Sequence, residues 1–323
     1  MRCLLIGTGS IGRRHIRCLR ELEQEVTVIA LRSGKGGHVP DGLVDVEVRT
    51  IEDALSLKPD CAIIANPAPW HAGYAASLLD AGLAVFIEKP IATVRAEAEI
   101  LRDAAGRNGK AVVGYVLRHD PGFSAFATAC RSEVVGQVYS AQFECGQALE
   151  DWRPQIDPAT SISARRETGG GVLFELSHEI DAARCVLGDL ECTHAVAKRC
   201  GRIVKDVEDL AIIFLQAASG IPATVHIDML RRPSMRQYCA FGTQGTLIWN
   251  ATEGYVAVNR ANEWEELYRI PPDRDDLYRR QMRHFLSVVR EEAEPICSVD
   301  DGFATLEVVL QARQAAGLEA DNS

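Results

Sequence analysis

Leu4-Leu5-Ile6-Gly7-Thr8-Gly9-Ser10-Ile11-Gly12-Arg13-Arg14, residues 4–14, is the stretch that decides the fold. The apolar run reads as a buried strand, the glycines as a turn, and Arg13 to Leu22 as the helix that follows. In that context G-x-G-x-x-G is a dinucleotide-binding fingerprint. Gly7 allows the tight turn, Gly9 lets backbone amides approach a pyrophosphate, and Gly12 lets the helix pack closely on the strand. Together with Ser10 and Ile11 at the helix start, those amides and the positive end of the helix dipole make an anion site that needs no side chain.

Working outward, 323 residues are enough for two domains, and 47% hydrophobic with 25% charged residues is the balance of a globular chain. No apolar run reaches the roughly 18 residues that span a bilayer. Met1 leads straight into a core strand, so no signal peptide is read and a cytoplasmic location is expected. A formal net charge of −10 argues against nucleic acid as a partner, since that needs a basic footprint. The ten cysteines contain no C-x-x-C pair, so no metal site is read, and Cys3, Cys61, Cys185 and Cys239 are expected as thiols in apolar surroundings.

Val26 to Leu31 is the second strand of a βαβ unit, and its end should meet the adenosine ribose. An Asp or Glu about 20 residues beyond the glycines would bind a 2′-hydroxyl. None stands there. Arg32, Ser33 and Lys35 either hold a 2′-phosphate, which leans the reading to NADP over NAD, or are ordinary loop residues. Cys61 to Ala65 is a parallel core strand stopped by Asn66-Pro67 at the sheet edge where ligands bind, and His71 opens the next helix. Ala84 to Ile87 is another buried strand, and it ends in Glu88-Lys89-Pro90. A carboxylate and an ammonium at an apolar strand end suit the edge of a cofactor cleft.

Strand–helix alternation stops at Arg118-His119-Asp120-Pro121, which divides the chain into 1–120 and 121–323. Gln147 to Glu167 reads as a long loop carrying Trp152, Arg153, Asp157, Ser161, Ser163, Arg165 and Arg166. Its guanidiniums suit a carboxylate or phosphate, or else salt-bridge a solvated loop. Gly169-Gly170-Gly171 then starts a helix from Val172 to Leu187, on which Glu175 and His178 share a face and Asp181 follows one turn on. Strand-like runs at 192–199, 210–216, 221–229, 238–242, 246–250 and 255–259 indicate an antiparallel sheet, and 277–292 and 300–316 read as helices.

Gly7 to Gly12, Asn66-Pro67 with His71, and Glu88-Lys89-Pro90 resemble, in order and spacing, the glucose-fructose oxidoreductase, inositol dehydrogenase and rhizopine-catabolism (Gfo/Idh/MocA) family. The resemblance implies an α/β fold: an N-terminal Rossmann domain and a C-terminal α+β domain with a large, mostly antiparallel sheet for substrate binding and oligomerisation. It makes Lys89 the catalytic lysine near nicotinamide, with Glu88 and Pro90 fixing its strand end. Ser177-His178-Glu179-Ile180-Asp181 behind the glycine triplet looks like the family's helix bearing its catalytic histidine, His178. Many members carry an aspartate four residues before that histidine. Phe174 stands there in this chain, and Glu175 is the nearest acid.

The implied reaction is hydride transfer between a carbinol of a sugar-like substrate and NADP or NAD. Lys89 and His178 would serve as acid and base, converging over the coenzyme with Glu175 in support. Ile11-Gly12-Arg13-Arg14-His15, Asp151-Trp152-Arg153, Ser163-Ala164-Arg165 and Leu176-Ser177-His178-Glu179 together look like members associated with acidic-sugar or surface-polysaccharide metabolism. Arg118, Trp152, Arg153, Arg165, Arg166 and Asp181 are therefore the candidates for holding an anionic sugar or sugar nucleotide. A neutral sugar or cyclitol stands second. A dinucleotide-sensing protein without turnover is the alternative from another class. A homodimer or homotetramer through the second sheet is expected.

Overall fold

A computed structural model describes residues 1–34, 42–155, 157–201 and 206–318, and these divide into two units. Met1–Val116 with Arg274–Phe303 form the first, and Leu117–Asp273 with residues beyond Phe303 form the second. Residues 274–303, which the sequence reading placed in the C-terminal domain, belong to the first unit.

The first unit alternates strands and helices: β1 (Arg2–Ile6), α1 (Ser10–Leu22), β2 (Thr27–Leu31), β3 (Val46–Val48), α2 (Ile51–Ser56), β4 (Cys61–Ile64), α3 (His71–Asp80), β5 (Ala84–Ile87), α4 (Arg95–Asn108) and β6 (Ala111–Val113). Among the described residues the strands make one parallel sheet in the order β3-β2-β1-β4-β5-β6. The order reverses between β1 and β4, and such a switch point is where open α/β sheets bind ligands, beyond the carboxyl ends of the strands. β1, β4, β5 and β6 are almost wholly buried, as strands covered by helices on both faces must be. Local chemistry sets the helix ends. Thr50 caps α2 by accepting from the Asp53 amide at 3.1 Å, and Gly109, left-handed at φ 73°, ends α4.

The second unit holds α5 (Pro121–Arg131), β7 (Val138–Gly146), α6 (Val172–Glu175), α7 (His178–Leu187), β8 (Leu190–Lys198), β9 (Leu210–Ala217), β10 (Pro222–Asp228), β11 (Met235–Gly242), β12 (Gly245–Asn250), β13 (Tyr255–Arg260) and β14 (Glu263–Arg269). Its described strands form a sheet in the order β14-β13-β12-β11-β7-β10-β9-β8. Every pairing is antiparallel except β7 with β10. Alternation along the strands gives the sheet two unlike faces. Ala141, Phe143, Ile213 and Leu215 are buried, while Gln142, Phe214 and Gln216 are exposed. On the covered face Phe123 of α5 meets the rings of Tyr238 and Trp249. Asp120 starts α5 by accepting from the Gly122 and Phe123 amides, with Pro121 in the first turn.

Helix α8 (Arg274–Val289) returns to the first unit and packs along α1. Met282, Phe285, Leu286 and Val288 join Leu5, Ile16, Leu19, Ile63 and Phe86 in one buried cluster, and Phe285 meets Phe86 edge-on at 5.6 Å. Each such side chain contributes about 1.5–3 kcal/mol of burial, which is why the chain comes back. α9 (Val299–Ala315) begins in the first unit and ends in the second.

Other parts of the sequence reading change. The helix expected from Val172 to Leu187 is two, α6 and α7, interrupted at Leu176-Ser177. The loop from Gln147 to Glu167 contains short 3-10 turns, at Leu149–Asp151, Pro158–Thr160 and Ile162–Ala164, and another follows at Arg166–Thr168. Cys3, Cys61 and Cys239 are buried, and Cys185 is half-buried. Among the described residues no helix is long and apolar enough to cross a membrane.

Candidate active site

In the first unit the glycine turn packs against the end of β4. A Cβ on Gly7, whose φ is +100°, would lie 2.4 Å from the Ala65 carbonyl carbon and the Asn66 nitrogen, and one on Gly12 would lie 2.0 Å from the Gly7 oxygen. A Cβ on Gly9 would meet nothing within 4 Å. Gly7 and Gly12 thus close the turn, and Gly9 faces open space. Helix α1 begins there with Ser10 and Ile11. It has no side-chain cap at Gly9 and no acid in its first turn, so its amino-terminal amides face outward without a competing carboxylate. The Arg13 guanidinium donates to the Thr8 carbonyl at 2.9 Å and braces the turn. These residues fit a dinucleotide pyrophosphate.

The ends of β4 and β5 are tied together around two buried histidines. His71 stands between the Asn66 oxygen, 2.6 Å from Nε2, and the Pro90 oxygen, 2.7 Å from Nδ1. Burial pulls its pKa below the ordinary imidazole value, against the opposing pull of those carbonyls and of Glu88. Asn66-Pro67 and Glu88-Lys89-Pro90 are thereby held in register. His15, fully buried on α1, donates from Nε2 to Glu88 Oε1 at 2.6 Å, and Glu88 Oε2 accepts the Lys89 amide at 3.2 Å. Burial alone would raise the Glu88 pKa; the His15 hydrogen bond and the charges of His15, Lys89 and His71 outweigh it and hold the carboxyl below its usual range.

A depressed carboxyl pKa stabilises the fold above the unfolded-state value, and the contribution disappears as pH falls through the folded-state value. His15→Leu removes the main lowering interaction. It is expected to cost roughly 1–3 kcal/mol at pH 7, with the gap to the parent narrowing as pH drops through the carboxylate range; urea unfolding at several pH values measures it.

At the end of β2, Arg32 Nη1 donates to Glu47 Oε1 at 2.7 Å. The carboxylate at this strand end belongs to β3, where Glu47 pairs with Ala30 of β2. Lys35 lies outside the described residues.

In the second unit, Gly170 lets the chain press onto the 162–165 turn: a Cβ there would lie 2.6 Å from the Ser163 oxygen and 2.7 Å from the Ile162 and Arg165 oxygens. α6 starts where Glu208 receives its amides, Val172 N to the Glu208 carbonyl at 2.9 Å and Leu173 N to Oε1 at 3.2 Å. Phe174 is buried beneath the Arg313 guanidinium, 4.9 Å from the ring centroid, which suits an apolar residue at this position. Glu175 ends α6 and His178 opens α7, so the shared helical face inferred for them does not hold. α7 is anchored through Glu179, fully buried, which accepts from Arg236 Nε at 2.8 Å and from the Tyr238 hydroxyl at 3.2 Å. That anchor sets the position of His178.

All four arginines proposed for an anion have protein partners. Arg118 grips Asp181 with two bonds, 3.0 and 2.7 Å, and Asp181 also accepts from Thr305. Arg166 donates to the Asp206 carbonyl from Nε and Nη2. Arg153 bonds the Ser161 hydroxyl at 3.1 Å, and Trp152 donates to the Gln147 carbonyl at 3.1 Å. Arg165 is exposed and pairs loosely, at 3.6 Å, with the still more exposed Glu167. Arg118→Met would leave the buried Asp181 carboxylate without its guanidinium and is expected to cost roughly 3–5 kcal/mol. Arg165→Met should cost about 0–1 kcal/mol. Chemical unfolding of the two variants separates a structural pair from a surface one.

Sequence reading missed Glu47 altogether and noticed His15 only as part of a motif. For Glu47 a signal existed: Val44, Val46 and Val48 alternate with acids, the pattern of a short strand.

Comparison with known proteins covers both halves. Residues 1–115 match the oxidoreductase family with an NAD-binding Rossmann fold, and residues 123–248 match the GFO/IDH/MocA C-terminal domain. Inositol 2-dehydrogenase of Rhizobium meliloti (strain 1021) is 25% identical over 327 residues, spanning 94% of this chain and 92% of that enzyme. Levoglucosan dehydrogenase, solved with NADH and L-sorbose, superposes with a TM-score of 0.84 at 17% identity, covering 98% of this chain and 96% of that one. A 3-ketoreductase from Actinomadura kijaniata, solved with NADP and TDP-benzene, gives 0.81 at 24% identity, covering 98% and 97%. At those identities the solved structures speak to the fold. The matches along both halves, together with the glycine turn at the switch point and the Glu88-Lys89-Pro90 strand end, make the chain a member of the Gfo/Idh/MocA family of NAD-binding oxidoreductases.

Proposed function

We propose that this protein is a dehydrogenase that moves a hydride between a nicotinamide dinucleotide and a carbinol carbon of an anionic sugar or sugar nucleotide. The observation that carries the reading is the Lys89 strand end. A buried, hydrogen-bonded carboxylate fixes the backbone of a lysine at the same sheet edge as the glycine turn. A second buried histidine, His71, ties the neighbouring strand end to it through the Asn66 and Pro90 carbonyls.

When bound, the nicotinamide supplies the hydride acceptor. The amides at Gly9, Ser10 and Ile11 would hold its pyrophosphate, with Asn66, Pro67 and the Glu88-Lys89 strand end flanking it. Oxidising an alcohol also requires the hydroxyl proton to leave. Lys89 takes that proton, His178 is the second acid–base group, and Glu175 supports His178 from the preceding helix. Positioned proton transfer of this kind contributes typically about 10²–10⁴ in rate. On the substrate, Arg165 and Arg153 with Trp152 supply the donors for an acidic group, while Arg118 with Asp181 and Arg166 with Asp206 shape the loop around them. The exposed sheet face bearing Gln142, Phe214 and Gln216 pairs copies of the chain into a dimer or tetramer. The buried thiols suit a reducing, cytoplasmic setting.

The test mixes the protein with NAD or NADP and a panel of acidic sugars, sugar nucleotides, neutral sugars and cyclitols, following nicotinamide absorbance. Turnover confined to acidic substrates, and weakened by Arg165→Met on those alone, supports the reading. Equal turnover of a cyclitol removes the charge-reading loop. Dinucleotide binding with no turnover on any compound points instead to a sensing protein.

A further inference from the structure

We infer that Glu47 is the residue that sets the choice between the two dinucleotides, and that it selects NAD; this rests on the dinucleotide site proposed above. In most doubly wound sheets the acid that reads the adenosine ribose follows β2 directly. Here that position is Arg32, taken alone a phosphate-binding residue, and the carboxylate reaches the same edge from the neighbouring strand. Glu47 pairs with Ala30, one residue short of the end of β2, and the Arg32 amide extends the ladder to the Val48 oxygen at 3.1 Å. The carboxylate is 41% exposed and the guanidinium it holds only 14%.

The outward-facing charge is therefore negative. A 2′-hydroxyl can donate to the second Glu47 oxygen, whereas a 2′-phosphate would meet the carboxylate and compete with it for Arg32. Among the described residues Arg49 is the other cation near this edge, and it directs Nη1 to the Arg32 carbonyl at 3.3 Å and so turns toward backbone. Glu47 thus acts twice: it accepts from the ribose and it keeps Arg32 from the phosphate.

Dissociation constants for NAD and NADP, measured by calorimetry on the parent, on Glu47→Gln and on Glu47→Gln/Arg32→Met, test this without any substrate. The parent is expected to bind NAD more tightly. Glu47→Gln should shift the NAD:NADP affinity ratio toward NADP by about tenfold or more, the worth of one charge-assisted hydrogen bond. Adding Arg32→Met should abolish the gain in NADP affinity, and Glu47→Asp should keep part of the preference for NAD. A ratio that stays within about twofold across these proteins, or a parent that prefers NADP, overturns the inference while leaving the dinucleotide site standing. A parent that binds neither dinucleotide overturns the dinucleotide site itself. Since Glu47 lies on the surface, the Gln variant should fold as the parent does, which its unfolding midpoint checks.

Discussion

Replacing Lys89 with methionine is expected to lower kcat by about 10²–10⁴-fold while dinucleotide affinity changes by no more than about threefold. Methionine keeps an unbranched apolar stem of similar length and lacks the nitrogen that accepts the hydroxyl proton. The anchoring is by backbone: Glu88 Oε2 holds the residue 89 amide, and His15 holds Glu88, so the strand end keeps its shape whatever side chain stands at 89. A steady-state assay with the best substrate of the panel, alongside calorimetric titration with dinucleotide, reads the two quantities separately. An unaltered kcat would take Lys89 out of the chemistry. A parallel collapse of binding would instead make it part of the cofactor cradle.

The second large effect is expected at the glycine turn. In Gly12→Ala the new methyl would lie 2.0 Å from the Gly7 carbonyl oxygen, a backbone atom that cannot swing aside. Helix α1 must then lift from the strand end or the turn must open. A loss of roughly 4 kcal/mol or more is expected, at the upper end of what single substitutions do. Gly9→Ala makes the contrast, because its methyl meets nothing within 4 Å. Its unfolding midpoint should match the parent's, while its dinucleotide affinity falls. Urea unfolding of the ligand-free proteins, paired with binding titrations, distinguishes a glycine required by packing from one required by a ligand. Undiminished binding by Gly9→Ala would mean that no pyrophosphate approaches the turn there.

What could be read from the chain alone was what adjacent residues decide. The strand–glycine–helix unit, the prolines that stop two core strands and the alternating runs of the second sheet all depend on neighbours within a few positions. Partners far apart in sequence stayed hidden. Arg118 reads as an available guanidinium until the fold brings Asp181 to it from 63 positions away. The alternation at Val44, Val46 and Val48 marks a short strand, but nothing local says that this strand lies beside β2 and brings the Glu47 carboxylate to Arg32. The break between α6 and α7 was not legible either: Val172 to Leu187 has helical character throughout, and at the interruption the Ser177 hydroxyl donates to the Phe174 carbonyl at 3.0 Å, a local bond that competes with the helix. Local pattern supplied the architecture and the strand-end motifs, whereas charge pairing had to await the tertiary structure.

The return of α8 bears on how this protein could be taken apart. A polypeptide ending at residue 120 would carry the whole parallel sheet and yet leave Ile16, Leu19 and Phe86 without the Met282, Phe285 and Leu286 side chains that roof them. Such a fragment would be sticky rather than autonomous. Any exchange of nucleotide-binding halves among relatives has to transplant two separate stretches, 1–116 and 274–303, or stitch them with an artificial linker.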